Sequence, residues 1–230
     1  MSPPQPETRP LVTQVGVFAR WPRVGAVKTR LSPALPAAMA CALHEAMVRD
    51  ALATALASRI GAVTLWWADA PAVSDWAVPD GITVAEQSGA DLGARMFTAL
   101  SRMRSEAEAA LIVGSDCADL SIAQLQSAAA ALRDHDLVLG PAQDGGYWLI
   151  GIREPQPRLF EGIAWGGAEV FEATRARAAR QHLAVATLET LSDLDTPADL
   201  ARLIGTALIE PGRIGAATRA ALASFALLPS

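Results

Sequence analysis

The chain has one lysine, Lys28, against 18 arginines, and one tyrosine, Tyr147, against six tryptophans and five phenylalanines. Its two cysteines, Cys41 and Cys117, are too few for a disulfide framework or a cysteine metal cluster. No apolar run approaches the ~20 residues that a membrane span needs, so no membrane association is expected. Three histidines, His44, His135 and His182, fall in or beside predicted helices and read as structural or solvated. Positive charge is scarce as well. The net charge of −5 argues against the basic face of a nucleic-acid binder. Residues 1–11 open on several prolines without an apolar stretch, which predicts a disordered tail and not a signal peptide.

What remains is a folded globular composition, 51% hydrophobic and 19% charged over 230 residues. Apolar runs at residues 12–19, 62–68, 82–87, 109–114, 137–140, 147–152 and 183–188 read as strands. Helices are expected within 32–58 (starting near Pro36), over 92–104, from Ser121, over 168–181, from Thr196 and Pro197, and over 212–227. Ser121 with Gln124 three residues on forms a capping box. Strands alternating with helices predict an α/β, three-layer Rossmann-like sandwich with a mostly parallel central sheet. Residues 12–230 read as one domain, and the cytoplasm is the expected location. In such sheets ligands sit beyond the carboxyl ends of the strands, so the residues just after each strand are the candidates.

Four of the basic residues, Arg20, Arg23, Lys28 and Arg30, fall within eleven positions after the first strand, with Gly25 among them. A glycine that lets the backbone approach an anion, beside lysine and arginine, suits phosphate binding by Arg20, Gly25, Lys28 and Arg30. As a loop residue, Lys28 is expected to be exposed and dispensable for stability. After the run at 109–114 comes G-S-D-C. Because Ser121 and Gln124 already cap the next helix, Asp116 is free to hold Mg²⁺ or Mn²⁺ with a substrate phosphate. Asp119 reads as a helix-dipole residue. The turn between residues 140 and 147 would present Asp144, the amides of Gly145 and Gly146, and Tyr147 to a small acceptor. In Asp193-Leu-Asp195, either aspartate could complete a metal site begun by Asp116, and Asp195 is the preferred one. Thr196, Pro197 and Asp199 have structural explanations at a helix start.

Taken together, the patterns F-A-R-x-P-x-x-G-x-x-K-T-R-L, D-L-G-x-R-M (residues 91–96), G-S-D-C, G-P-A-x-D-G-G-Y and D-x-D-T-P-x-D-L resemble the bacterial DUF2064 family. The resemblance runs over residues 15–203. It implies a glycosyltransferase-A-like transferase related in fold to nucleotide-diphospho-sugar transferases. K-T-R-L also resembles the K-S-R-L of 2-phospholactate guanylyltransferases, and D-x-D-T-P-x-D-L the ending of molybdenum-cofactor nucleotidyltransferases. The chain departs from the family at Ala118, where proline is usual, and over residues 165–168, where a hydroxyl residue and a proline are usual.

A metal-dependent transferase with a nucleotide-activated small-molecule substrate is the expectation. For nucleotidyl transfer from a nucleoside triphosphate, Lys28 and Arg30 stabilise phosphate charge, and a phosphorylated acceptor needs no base. For glycosyl transfer from a nucleotide-diphospho-sugar, Asp144 is the candidate base. A non-catalytic nucleotide-binding module is the reading from outside enzymology.

Overall fold

The computed structural model describes residues 11–72 and 76–229, so of the tail expected over residues 1–11 only Leu11 lies among the described residues. Seven strands form one sheet: β1 (Thr13–Arg20), β2 (Gly61–Ala68), β3 (Ile82–Glu86), β4 (Ala109–Gly114), β5 (Leu137–Pro141), β6 (Tyr147–Ile152) and β7 (Val185–Thr187). Their spatial order is β3-β2-β1-β4-β6-β5-β7, and β6 alone runs against the others. The central strands β1 and β4 are nearly continuous apolar runs, as strands covered on both faces must be. The sheet is the mostly parallel one that the sequence predicts.

Among the described residues six helices cover it: α1 (Ala37–Ser58), α2 (Leu92–Arg104), α3 (Ile122–Ala131), α4 (Val170–Arg180), α5 (Pro197–Ile209) and α6 (Ala216–Ser224). Alternation along the strands sorts the core into two layers. Val15, Val17, Leu111 and Val113 pack with Val48 and Leu52 of α1 and Leu125 of α3. Phe18, Ile112 and Ile150 pack with Met96, Leu100 and Met103 of α2 on the opposite face. Helix α1 is apolar on its outer side too, because Leu43 and Met47 bury against Leu200 and Leu203 of α5 and Leu222 of α6. Its alanines let it sit between two cores, which is why it has no polar face of ordinary width. The capping boxes at Ser121/Gln124 and Thr196/Asp199 are both formed.

The helix expected over residues 212–227 is divided. A short 3₁₀ turn, Pro211–Arg213, precedes α6, and the reason lies in a distant residue. Asp50 of α1 accepts from Ala217 N at 2.9 Å and Thr218 N at 2.7 Å, so it satisfies the orphan amides of the first turn of α6. Gly215 is required at that junction, since a Cβ there would lie 2.0 Å from Asp50 Cγ. Asp50→Ala is expected to cost about 1–2 kcal/mol, the scale of a lost N-cap. Urea unfolding measures it, and an unchanged unfolding free energy would show that water replaces the cap.

Candidate functional site

The carboxyl ends of β1, β2 and β4 and the amino end of the antiparallel β6 open into a cavity of about 570 Å³, within the range of small-molecule sites. Arg20, at the end of β1, and residues 26–30 of the following loop form one wall, while Gly25 stands outside the lining. Ala26 N donates to Arg23 O at 2.9 Å, closing a tight turn in which Gly25 takes φ +78°. Buried Val27 and Leu31 then anchor the loop from below. Between them Lys28 adopts a left-handed backbone, φ 48° and ψ 34°. A non-glycine residue holds that conformation only where its surroundings enforce it.

The enforcing contacts are ionic. Lys28 Nζ donates to Asp116 Oδ1, and to Asp195 Oδ1 at 3.0 Å. The lysine side chain is 4% exposed, while the two aspartates are 49% and 37% exposed and face the cavity. This corrects the expectation of an exposed lysine. Burial alone would lower the Lys28 pKa, but Asp116 and then Asp195 outweigh it and hold the ammonium above its ordinary value. Burial likewise works to raise the Asp116 carboxyl, and Lys28 overcomes it, leaving the group below the usual carboxylate range.

Asp116 and Asp195 meet because their backbones do. Leu194 N donates to Asp116 O at 2.9 Å, stitching the segment before α5 to the end of β4. Asp199 Oδ2 accepts from Asp195 N at 3.1 Å and Thr196 N at 2.7 Å, fixing the segment further. Asp193, on the same stretch, also lines the cavity. Its Oδ1 accepts from Cys117 Sγ at 3.4 Å, and its Oδ2 is buried with no partner among the described residues. Burial, with Asp144 next in weight, pushes its pKa up to about 7. Two hard carboxylates at one point suit Mg²⁺ or Mn²⁺, whose remaining positions are normally filled by water and phosphate oxygens. Among the described residues no group of three or more His, Cys, Asp or Glu could hold a metal by itself.

Arg20 and Arg30 flank this centre loosely. Arg20 Nε lies 3.9 Å from Asp69, and Arg30 Nη1 lies 3.9 Å from Asp195, with the Arg30 side chain 71% exposed. Such contacts contribute little, so both guanidinium groups are available to an anion.

The turn between β5 and β6 differs from its expected role. Gly145 N donates to Ala142 O at 3.1 Å, and Gly146 N donates to Asp144 Oδ1 at 2.8 Å. Both amides assigned to an acceptor are consumed inside the turn. Gly145 is needed for close packing, at φ +90° with a Cβ that would lie 1.9 Å from Ala168 O. Asp144 stays exposed at the cavity wall. The Tyr147 hydroxyl lies 3.7 Å from Met96 Sδ as donor, and burial holds its pKa well above that of a free phenol. Only the ring of Tyr147 is left for a ligand, beside Trp165 and Val170.

Polar and aromatic lining residues to which sequence reasoning gave no place in the site include His44, Gln87, Arg95 and Trp165. His44 Nε2 donates to Arg20 O at 2.8 Å, and burial lowers its pKa, so a neutral imidazole ties α1 to the start of the basic loop. Arg95 belongs to D-L-G-x-R-M, a pattern visible in the sequence without a role attached. Trp165 packs closely against Gly93, whose Cβ would lie 2.3 Å from the indole.

The family of bacterial proteins described as "Uncharacterized protein conserved in bacteria (DUF2064)" matches residues 51–167. The chain belongs to the DUF2064 family. A protein of Desulfovibrio desulfuricans G20, named as a candidate nucleotide-diphospho-sugar transferase, is 32% identical with a TM-score of 0.86, over 94% of this chain and 96% of that one. A CMP:2-keto-3-deoxy-manno-octonic acid synthetase solved with CTP shares the fold at 13% identity and TM-score 0.52, over 87% and 99% of the two chains. Rv0371c of Mycobacterium tuberculosis H37Rv, solved with manganese, does so at 18% identity and TM-score 0.50, over 85% and 98%. No curated protein matches the sequence. Among the described residues no helix is long and apolar enough to cross a membrane. The DUF2064 match begins inside α1, so the basic loop and the Asp193–Asp195 segment lie outside it.

Proposed function

We propose that this DUF2064 protein is a metal-dependent nucleotidyltransferase, moving a nucleotidyl group from a nucleoside triphosphate to a small phosphorylated acceptor. The supporting observation is Lys28, a buried ammonium held between Asp116 and Asp195 and flanked by two loosely tied arginines. A divalent metal bound by Asp116 and Asp195 would neutralise phosphate charge there. Lys28 would then turn from the aspartates to phosphate oxygens as a point charge. An acceptor phosphate oxygen forms the new bond to the α-phosphorus, the bond to the bridging oxygen breaks, and pyrophosphate leaves. Arg20 and Arg30 would take that leaving charge. The acceptor is already anionic, so no general base is required, and His44 is neutral and engaged elsewhere.

Thermal stabilisation by nucleoside triphosphates and nucleotide-diphospho-sugars, each with and without Mg²⁺ or Mn²⁺, tests the reading. Triphosphates with metal are expected to stabilise most. Metal-independent binding would leave a nucleotide-binding module in its place.

A second reading, glycosyl transfer, is favoured by the name given to the Desulfovibrio relative. It would show as a preference for nucleotide-diphospho-sugars and would make Asp144 the base. Asp144→Asn separates the two chemistries. A base lost at this position would cut kcat by ~10²–10⁴. Nucleotidyl transfer predicts instead a raised KM for the acceptor with kcat changed only a few-fold. Asparagine still accepts from Gly146 N, so the turn keeps its shape.

A further inference from the structure

Gln87 stands immediately beyond β3, at the end of the sheet away from Asp144. Its backbone N donates to Trp67 O at 2.9 Å, which extends the ladder by one residue. Its side-chain Nε2 donates to Trp66 O at 2.9 Å and Ala19 O at 3.3 Å, clasping the ends of β2 and β1. Both partners are backbone carbonyls, which only accept. The amide is therefore held with its NH₂ on the sheet and its carbonyl turned away. Oε1 takes no hydrogen bond among the described residues, and Gln87 lines the cavity. The result is a fixed group that presents an acceptor and no donor.

The charges around the cavity say which part of a ligand meets it. All the carboxylates lining it, Asp116, Asp144, Asp193 and Asp195, stand on the β4–β6 side. The β2–β3 side offers Ala68, Gln87, Leu92 and Arg95, with Leu92 unusually exposed for its type at 43%. A nucleotide whose phosphates lie at residues 28–30 can extend its nucleoside toward either side. On the β4–β6 side it would compete with the acceptor and face four acids. On the β2–β3 side it meets Ala68 and Leu92, the Arg95 guanidinium and one oriented hydrogen-bond acceptor.

We propose that Gln87 reads the nucleobase, selecting bases that carry an exocyclic amino group over uracil. The inference rests on the nucleotide-transfer reading of the same cavity. Cytosine, adenine and guanine each carry an amino group at the edge of the ring that can donate to Oε1. Uracil has no amino group, and its one ring donor, N3–H, sits between two carbonyl oxygens that lie close to the Gln87 carbonyl and weaken a hydrogen bond to Oε1. Because the clasp on Trp66 and Ala19 prevents the amide from flipping, Gln87 cannot adapt to uracil by offering its NH₂.

Titration with CTP, ATP, GTP and UTP in Mg²⁺, with inorganic tripolyphosphate as a probe of the phosphate end alone, tests this. At least one amino-bearing nucleotide is expected to bind about tenfold more tightly than UTP, the scale of one hydrogen bond in a binding site. In Gln87→Met that preference should collapse while tripolyphosphate binding stays unchanged. Since the variant also loses the clasp, a second comparison uses the wild-type protein only. The best-binding nucleotide is set against its counterpart lacking just the amino group, such as purine riboside triphosphate for ATP, and the same tenfold loss is expected. Equal binding of UTP and the best nucleotide, or of the amino-lacking counterpart, would overturn the inference while leaving the nucleotide reading in place. Failure of tripolyphosphate and every nucleotide to bind would overturn both.

Discussion

Lys28→Met is expected to reduce turnover by about 10²–10³, the scale of removing one preorganised charge from a transition state. It is expected to do so with little change in stability. Methionine matches the length of the buried stem, and it relieves the cost of holding an ammonium out of water. Against that gain, Asp116 and Asp195 lose the cation between them, and both are exposed enough for water to answer most of their charge. The two effects oppose, so the unfolding free energy at neutral pH should move by no more than about 1 kcal/mol. Acid separates them. In the wild type the folded Asp116 pKa lies below its unfolded value of 3.8, so its stabilisation is present above that value and is lost as pH falls through the folded pKa. Without Lys28 the lowering disappears, and the variant should lose less stability than the wild type in strong acid. Steady-state kinetics beside melting curves at neutral and acid pH measure both parts. Large destabilisation at neutral pH would make Lys28 chiefly a structural bridge.

Asp116→Asn should be as damaging to activity by a different route. The amide keeps the size of the carboxylate and can still accept from Lys28, but it is a poor ligand for Mg²⁺. Turnover is expected to fall by about 10²–10³, with loss of charge stabilisation at the phosphates as the cause. The remaining activity should respond little to added Mg²⁺ or Mn²⁺. Nucleotide affinity without metal should stay level or improve, because one negative charge facing the phosphates has gone. Metal-stimulated turnover within a few-fold of the wild type would remove Asp116 from the metal site.

The strands and helices were legible in the sequence because burial on both faces leaves near-continuous apolar runs such as those of β1 and β4. The capping box of Ser121 and Gln124 was legible because it is local, three residues apart. What could not be read were contacts across long separations. Asp50 caps a helix 167 positions away, so the division of the C-terminal helix at Gly215 left no local mark. The burial of Lys28 was hidden for a similar reason. A basic loop after a strand looks solvated until the anchoring of Val27 and Leu31 and the approach of Asp195 are known. The amides of Gly145 and Gly146 looked free because a turn motif does not say which of its donors it uses itself. Gln87 ends a strand of ordinary composition, and its role emerges only from the neighbouring ends of β1 and β2.

Diffraction from crystals holding Mn²⁺ and a nucleoside triphosphate tests the central claim most directly, through the anomalous signal of the metal. The account predicts a manganese peak bounded by Asp116 and Asp195, with Lys28 turned from the carboxylates to the phosphates. Nucleotide bound elsewhere, or bound in this cavity with the Lys28–Asp116–Asp195 bridge intact and no manganese beside it, would contradict the account.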